Sequence, residues 1–292
     1  MSQGWRSAED ALRQVSIEIA HWRGEKSGAV RDELAVEEPL ELRVRATTPG
    51  ANPESLAAIM RTPGQDEELA AGFLFSEGIL RARSELLALR PGTDADGLPS
   101  PNVLDVEAAP GVDLARRVHE EGYSRAFAVN ASCGVCGKNS VSQVCATLPP
   151  LPPDDVAVAP QTLYALPDRL RAGQRVFAHT GGLHAAGLFA TDGTLLALRE
   201  DIGRHNAVDK LVGRALLDDT LPLRRVVLLV SGRLSFEIVL KALAAGIPIL
   251  AAVSAPSSMA VDLAEASGVT LAAFLRGDTV NVYTHPHRVR QL

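Results

Sequence analysis

The second half of the chain carries three mainly apolar runs, at residues 226–230, 249–253 and 269–274, and the first of them is apolar at every position. Runs of this length without polar alternation are typical of strands that are covered on both faces. Helical patterns separate the runs, at residues 236–245 and 259–266. This alternation of strand and helix predicts an α/β sheet with helices packed against it.

Two further elements are predicted upstream of these runs. Residues 184–190 and 194–198 flank Asp192-Gly193, a dipeptide that is typical of a β-hairpin. Residues 206–217 form a helical pattern, for which Asn206 is the predicted N-cap. Both elements extend the predicted α/β unit towards the middle of the chain.

The first part of the chain is predicted to be mixed α and β. A turn signal at 62–64 is followed by three acids at 66–68, which favour the first turn of a helix that continues over 69–75. Short strands are predicted at 15–22, 40–44, 84–89 and 102–107.

The predicted class is therefore α/β, or α+β over the whole chain. We expect a leader at residues 1–30 that is poorly ordered in part, a mixed N-terminal domain at 31–125 and a C-terminal α/β/α domain at 126–292. A stiff proline-rich connector at 148–153 lies near the junction between the two domains.

Composition excludes several functional classes. The 292 residues carry a formal charge of -6, which disfavours a broad contact with nucleic acid. The N-terminus has no long apolar stretch, so neither a signal peptide nor a membrane helix is expected. Three cysteines are an odd number for a secreted disulfide scaffold, so a reducing cytoplasm is the expected location.

The reactive centre is predicted at Cys133 and Cys136, which lie in a glycine-rich segment with Lys138 beside them. A nearby cation lowers the pKa of a thiol, and the thiolate is the nucleophile in sulfur chemistry. A zinc half-site is the strongest alternative, although no second CxxC or HxxxH completes it. A thioredoxin-like redox pair and two incidental cysteines are weaker alternatives. Cys145 is interpreted as a small buried hydrophobe.

Several turns in the second half suit a phosphate-bearing ligand. His184 follows a Gly-Gly pair, Arg204 and His205 precede a predicted helix, and 231–233 and 254–258 each join a buried strand to a helix. Backbone N–H groups before a helix and an arginine side chain both bind anions, so Arg204 and His205 are candidate phosphate ligands. Taken singly, each turn is equally explained as an ordinary helix cap.

The segment after the last apolar run combines an aromatic, a cation and an acid. An aromatic ring stacks on a base, an aspartate accepts from the amino group of guanine, and an arginine binds phosphate. The alternative is a plain turn between strands. The candidate cofactor-binding residues are Phe274, Leu275, Arg276, Gly277, Asp278 and Thr279.

The chain resembles the formate dehydrogenase accessory sulfurtransferase family (FdhD) from about residue 34 to 287. Motifs in the family order carry this resemblance. They are Glu38-Pro-Leu-Glu-Leu, Met60-Arg-Thr-Pro-Gly, Asp66-Glu-Glu-Leu-Ala, Gly72-Phe-Leu, Ser76-Glu-Gly, Ser132-Cys-Gly-Val-Cys-Gly-Lys, Thr180-Gly-Gly-Leu-His, Glu200-Asp-Ile-Gly-Arg-His-Asn-Ala-Val-Asp-Lys, Ser231-Gly-Arg and Ser254-Ala-Pro-Ser-Ser.

The resemblance implies a sulfurtransferase. It implies that Cys133 carries a persulfide received from a cysteine desulfurase and that Cys136 assists it. The implied bound substrate is the molybdenum cofactor in its bis-guanine-dinucleotide form, and the implied recipient is formate dehydrogenase. Residues 274–279 match the family segment that contacts the guanine dinucleotide, and a GDP-like nucleotide is an expected ligand.

The resemblance also implies a homodimer and a C-terminal domain of cytidine-deaminase-like type. Zinc deaminases need H-x-E before P-C-x-x-C. Here the CxxC precedes the motif histidines His184 and His205, and position 186, two residues after His184, is alanine. The fold is therefore expected without the zinc chemistry. The alternative function is a non-catalytic chaperone for the molybdenum cofactor that uses its CxxC for zinc or for docking.

Overall fold

The computed structural model of the chain describes residues 12–45, 53–120 and 148–292. The strands are β1 Gln14–Arg23, β2 Lys26–Ala35, β3 Glu38–Val44, β4 Glu54–Arg61, β5 Leu86–Thr93, β6 Pro99–Ala108, β7 His184–Ala190, β8 Leu195–Asp201, β9 Val226–Val230, β10 Ile249–Ala252, β11 Thr270–Arg276 and β12 Thr279–Thr284. The α-helices are α1 Asp66–Ser76, α2 Leu114–Glu120, α3 Pro160–Gly173, α4 Arg175–Thr180, α5 Arg204–Leu217, α6 Phe236–Ala244 and α7 Ser258–Ser267.

Among the described residues, the main sheet has the strand order β12-β11-β10-β9-β7-β8. Strands β9, β10 and β11 are parallel, whereas β7, β8 and β12 run antiparallel to their neighbours. All five residues of β9 are buried, because helices cover both faces of the sheet. Helices α5, α6 and α7 pack on one face, and α3 packs on the other. The mixed α/β class predicted from the sequence is confirmed.

A smaller sheet precedes the main one, with the order β4-β3-β6-β5 in the described part of the chain. Its apolar face packs against α1 and α2. The buried positions of β3 alternate with exposed or half-buried ones, as expected for a strand with one covered face. Strands β1 and β2 form a separate antiparallel ribbon. The domain boundaries at residues 30 and 125 and the likeness to cytidine deaminases stay predictions.

Helix α1 joins the two parts of the molecule, because it lies directly against α5. A β-carbon built on Gly72 would stand 1.9 Å from the Asp209 carbonyl oxygen, and one on Gly213 would stand 1.7 Å from the Glu68 carbonyl oxygen. The two backbones are therefore in contact, and only glycine permits this approach at either position. No helix in the described ranges combines the length and apolar character needed to span a membrane.

The prediction that Asn206 caps a helix is wrong. Helix α5 begins two residues earlier, at Arg204, and Gly203 occupies the N-cap position. The Asn206 side chain instead donates to the Met60 carbonyl and to the Asp201 carboxylate, both at 2.8 Å. The Asn206 amide, which was predicted to cap the helix, therefore forms tertiary hydrogen bonds instead. Strands β2, β4 and β12 and helices α2, α3 and α4 were not predicted.

Candidate functional site

One edge of the main sheet gathers most of the polar motifs of the second half. Strands β9 and β10 end at this edge, and β8 ends there at Asp201. Strand β7 runs in the opposite direction and begins there at His184, which pairs with Asp201. Ligands of open α/β sheets bind outside the carboxyl ends of the strands, so this edge is the candidate site.

A buried ion pair holds the turn that leads from β8 into α5. The Lys210 ammonium lies 2.7 Å from the Asp201 carboxylate, and both side chains are 0% exposed. Asp201 also accepts hydrogen bonds from the Gly203 backbone N–H and the Asn206 amide, both at 2.8 Å. Lys210 donates a further bond to the Thr62 carbonyl at 3.0 Å. A paired and hydrogen-bonded charge is the form in which such groups are tolerated in a protein interior.

The same turn is tied to the first part of the chain. The Thr62 hydroxyl accepts from the Ile202 backbone N–H at 3.2 Å, and the Thr62 backbone N–H donates to Asp201 at 3.3 Å. The Arg13 guanidinium donates to the Glu200 carbonyl at 2.7 Å. The position of the turn therefore depends on contacts between segments that are distant in sequence.

Arg204 and His184 stand beside each other at this edge. A β-carbon built on Gly232 would lie 3.5 Å from His184 Nδ1 and 3.6 Å from Arg204 Cδ, so the Gly232 backbone lies against both side chains. Arg204 Nε is buried and has no hydrogen-bond partner among the described residues. Burial lowers the pKa of His184 below the ordinary 6.5, and the Arg204 charge lowers that pKa further.

His205 is more deeply buried than Arg204 and His184. Its ring Nε2 lies 3.2 Å from the Ser235 hydroxyl and 3.9 Å from Glu237, and the residue is 7% exposed. The ring is therefore engaged by α6 and by the turn before it. Of the two phosphate candidates at this turn, Arg204 has the freer side chain.

Two cavities meet at His184. One has a volume of about 200 Å³ and is lined by Arg204 and the 202–206 turn, with Glu37 and Met60 as its other wall. The second has a volume of about 610 Å³ and extends along the other side of the sheet edge to α3 and α4. His184 therefore lies at the edge of both cavities.

The predicted guanine-binding segment forms a hairpin between β11 and β12. Phe274, Leu275 and Arg276 end β11, Gly277 and Asp278 form the turn, and Thr279 begins β12. Phe274 has φ 55°, a left-handed conformation that is rare for a bulky residue, and its N–H donates to the Ser254 carbonyl at 3.3 Å.

Members of this hairpin differ in their access to a ligand. Leu275 is 1% exposed and belongs to the core, whereas Arg276, Gly277, Asp278 and Thr279 are exposed. The Arg276 guanidinium lies 5.9 Å from the centre of the Phe274 ring. The contact of this hairpin with a guanine dinucleotide stays a prediction.

The predicted reactive centre lies outside the described residues. Cys133 and Cys136 fall within 121–147, as do Lys138 and Cys145. Within the described ranges, no three His, Cys, Asp or Glu side chains are grouped so that they could hold a metal ion.

Sequence reasoning missed the two residues that fix the site most firmly. Asp201 and Lys210 were quoted only as part of a motif, and no role was assigned to either. The available signal was a lysine in the middle of a predicted helix next to apolar residues, where a buried charge needs a partner.

The pKa of His184 gives a prediction for this site. We expect its ring to titrate below pH 6.5 in the folded protein, because burial and Arg204 both disfavour the imidazolium. At pH 6.5 an unperturbed histidine is half protonated, whereas His184 stays mostly neutral. Arg204→Gln should raise the midpoint but leave it below 6.5, since the burial remains. NMR of ring-labelled protein measures the midpoint, with His184→Gln to assign the signal.

The matched control for this titration is Arg233→Gln. Arg233 is an exposed arginine of the turn that follows β9, and it does not contribute to the His184 shift. An equal change of midpoint in both arginine variants would contradict the specific role of Arg204.

Comparisons with known proteins agree on one family. The sequence pattern of the FdhD/NarQ family matches residues 35–290. "Sulfur carrier protein FdhD" of Mycobacterium tuberculosis (strain ATCC 25618 / H37Rv) is 51% identical over 294 residues, which cover 98% of this chain and 99% of that protein. The protein of the same name from Streptomyces avermitilis is 54% identical over 273 residues, covering 90% and 92% of the two chains.

A solved structure shares the fold. It is a crystal structure from Desulfotalea psychrophila, provisionally described as that of a formate dehydrogenase accessory protein. The superposition has a TM-score of 0.70 at 24% sequence identity and covers 95% of this chain and 99% of the other.

Proposed function

The chain belongs to the FdhD/NarQ family, and we propose that it is a sulfur carrier that serves formate dehydrogenase. It accepts persulfide sulfur from a cysteine desulfurase and transfers the sulfur to the molybdenum cofactor in its bis-guanine-dinucleotide form. The observation that carries this proposal is the match over 35–290, which includes Cys133 and Cys136, together with relatives of about half identical sequence named sulfur carrier proteins.

The proposed chemistry needs one nucleophile. The Cys133 thiolate attacks the outer sulfur of the donor's persulfide, a new S–S bond forms on Cys133, and the donor cysteine leaves as a thiolate. Cys136 assists Cys133 in holding or releasing that sulfur. The cofactor is the cargo of this reaction and receives the sulfur in the second half of the cycle.

The described residues support a docking place for that cargo. Arg204 offers a cation at the start of α5, where backbone N–H groups also favour anions. The hairpin at 274–279 offers the Phe274 ring and the Asp278 carboxylate for a guanine, and Arg276 for a phosphate. We further propose that the protein acts in the cytoplasm as a homodimer.

Sulfur loading tests the proposal. Purified protein incubated with a cysteine desulfurase and cysteine should gain about one sulfur atom on the 133–136 peptide, measured by mass spectrometry of peptides kept under non-reducing conditions. Cys133→Ala should abolish this gain, because the attacking thiolate is removed. Cys145→Ala is the matched control and should load as the unmodified chain does.

Two results would contradict the carrier role. One is a Cys133→Ala protein that still gains sulfur on the same peptide. The other is stoichiometric zinc bound through Cys133 and Cys136, which would favour the non-catalytic chaperone instead.

A further inference from the structure

The ribbon of β1 and β2 presents an uncovered apolar face. Directly paired residues of an antiparallel ribbon share a face, and the pairing of the two strands has no irregularity along its length. One face, which we call the aliphatic face, therefore carries a continuous stripe of Val15, Ile17, Ile19, Val30 and Leu34. Four of these residues are 38–47% exposed, and Ile19 is half-buried.

Such a ribbon needs a partner. A two-stranded hairpin is at best marginally stable in water, and neither strand pairs with a third strand in the described ranges. Soluble proteins rarely expose a contiguous apolar patch unless it is an interaction site. The aliphatic face is therefore a surface on which another molecule binds.

The tip of the same face carries two cations. Arg23 and Lys26 pair directly across the ribbon, both are exposed, and neither forms an ion pair with a described residue. Like charges directly opposite each other destabilise a ribbon of this kind. A carboxylate placed between them offsets this repulsion, so the charges favour a partner that brings an acidic group to the tip.

The base of the ribbon lies at the candidate site. Arg13, just before β1, donates to the Glu200 carbonyl at 2.7 Å. A β-carbon built on Gly182 would lie 3.5 Å from the Ala35 β-carbon, at the end of β2. Gly182 lines the cavity of about 610 Å³, and Glu37 lines the cavity of about 200 Å³. The ribbon therefore stands beside both cavities of the site.

We propose that the aliphatic face of the ribbon binds the protein that receives the cargo. The complementary surface of that protein is apolar, with an aspartate or glutamate that meets Arg23 and Lys26. The inference rests on the proposed function, because a recipient must reach the edge of the sheet where the cargo docks, and the ribbon stands at that edge. A sulfur donor has only to reach Cys133, so its task does not require this position.

Affinity for the recipient tests the inference. Biolayer interferometry measures the binding of purified, cofactor-free formate dehydrogenase to the immobilised full chain. Val30→Asp and Lys26→Glu should each weaken this binding at least about tenfold, because the first buries an unpaired charge and the second repels the acidic group. Both positions are exposed, so each variant should fold, which circular dichroism checks.

The matched controls lie on the opposite face of the same strand. Ala29→Asp introduces the same carboxylate next to Val30, and Arg31→Glu makes the same charge change as Lys26→Glu. At physiological ionic strength, where remote charges are screened, each control should change the affinity less than about twofold. Equal weakening by the test and control variants overturns the inference, as does unchanged affinity in both test variants.

Two further measurements distinguish the other occupants. Light scattering reports the mass of Val30→Asp, and a loss of self-association would assign the face to a second copy and overturn the inference. Sulfur loading by a cysteine desulfurase should be unchanged in Val30→Asp, since its loss would assign the face to the donor. Failure of the unmodified chain to load sulfur is a separate result, because it contradicts the sulfur-carrier function and does not involve the recipient.

Discussion

Replacing Lys210 with methionine is expected to lower the free energy of unfolding by about 3–5 kcal/mol. The substitution removes the ammonium that lies 2.7 Å from Asp201, in a place where both side chains are 0% exposed. The Asp201 carboxylate then stays buried without its counter-charge, which is the costly half of breaking a buried ion pair. The Thr62 carbonyl also loses its hydrogen bond from Lys210.

Urea denaturation followed by circular dichroism measures this loss, with Arg225→Met as the matched control. Arg225 and Asp155 are 2.9 Å apart, but their side chains are 68% and 85% exposed. Breaking such a surface pair should cost less than about 1 kcal/mol. Adding Asp201→Asn to Lys210→Met should recover part of the loss, because no unpaired charge is then buried. A Lys210→Met protein as stable as the control would contradict the proposed importance of this pair.

The second large effect is expected at the contact of α1 with α5. In an isolated helix, replacing an internal glycine with alanine stabilises by about 1 kcal/mol. Here Gly213→Ala would place a β-carbon 1.7 Å from the Glu68 carbonyl oxygen, so the two helices must separate. We expect a loss of about 3 kcal/mol, at the upper end of the usual cost of overpacking. The sign of the change therefore distinguishes packing from helix propensity.

Thermal and urea unfolding of Gly213→Ala give that sign. Gly28→Ala is the control, because a β-carbon there meets nothing within 4 Å and the residue lies in the exposed strand β2. Its stability should change by only a few tenths of a kcal/mol. If Gly213→Ala were at least as stable as the unmodified chain, α1 and α5 would not depend on this close approach.

Sequence reasoning located the three parallel strands of the main sheet to within about two residues. The runs at 226–230, 249–253 and 269–274 correspond to β9, β10 and β11. They were recognisable because a strand covered on both faces is apolar at nearly every position. The missed helix α3 contains Pro167, a residue that argues against a helix interior. Strand β2 has exposed residues on both faces, so it shows no hydrophobic alternation.

The site was predicted less completely, because its decisive contacts join distant segments. The motifs indicated that His184 and Arg204 belong to the site, and the fold places them side by side. The sequence did not reveal that Lys210 pairs with Asp201 beneath the turn. It also did not reveal that the Asn206 side chain donates hydrogen bonds to Met60 and Asp201 and does not cap a helix.

By itself, the sequence determined the α/β class, the positions of the buried strands along the chain and the family of the chain. These properties depend on local apolar patterns and on motifs that are contiguous in sequence. Only the tertiary structure decided which polar groups are paired. It buries Lys210 against Asp201, and it leaves the buried Arg204 Nε without a hydrogen-bond partner among the described residues. Pairing of this kind is a property of three-dimensional neighbours, because the free energy of a buried polar group depends on the atoms around it.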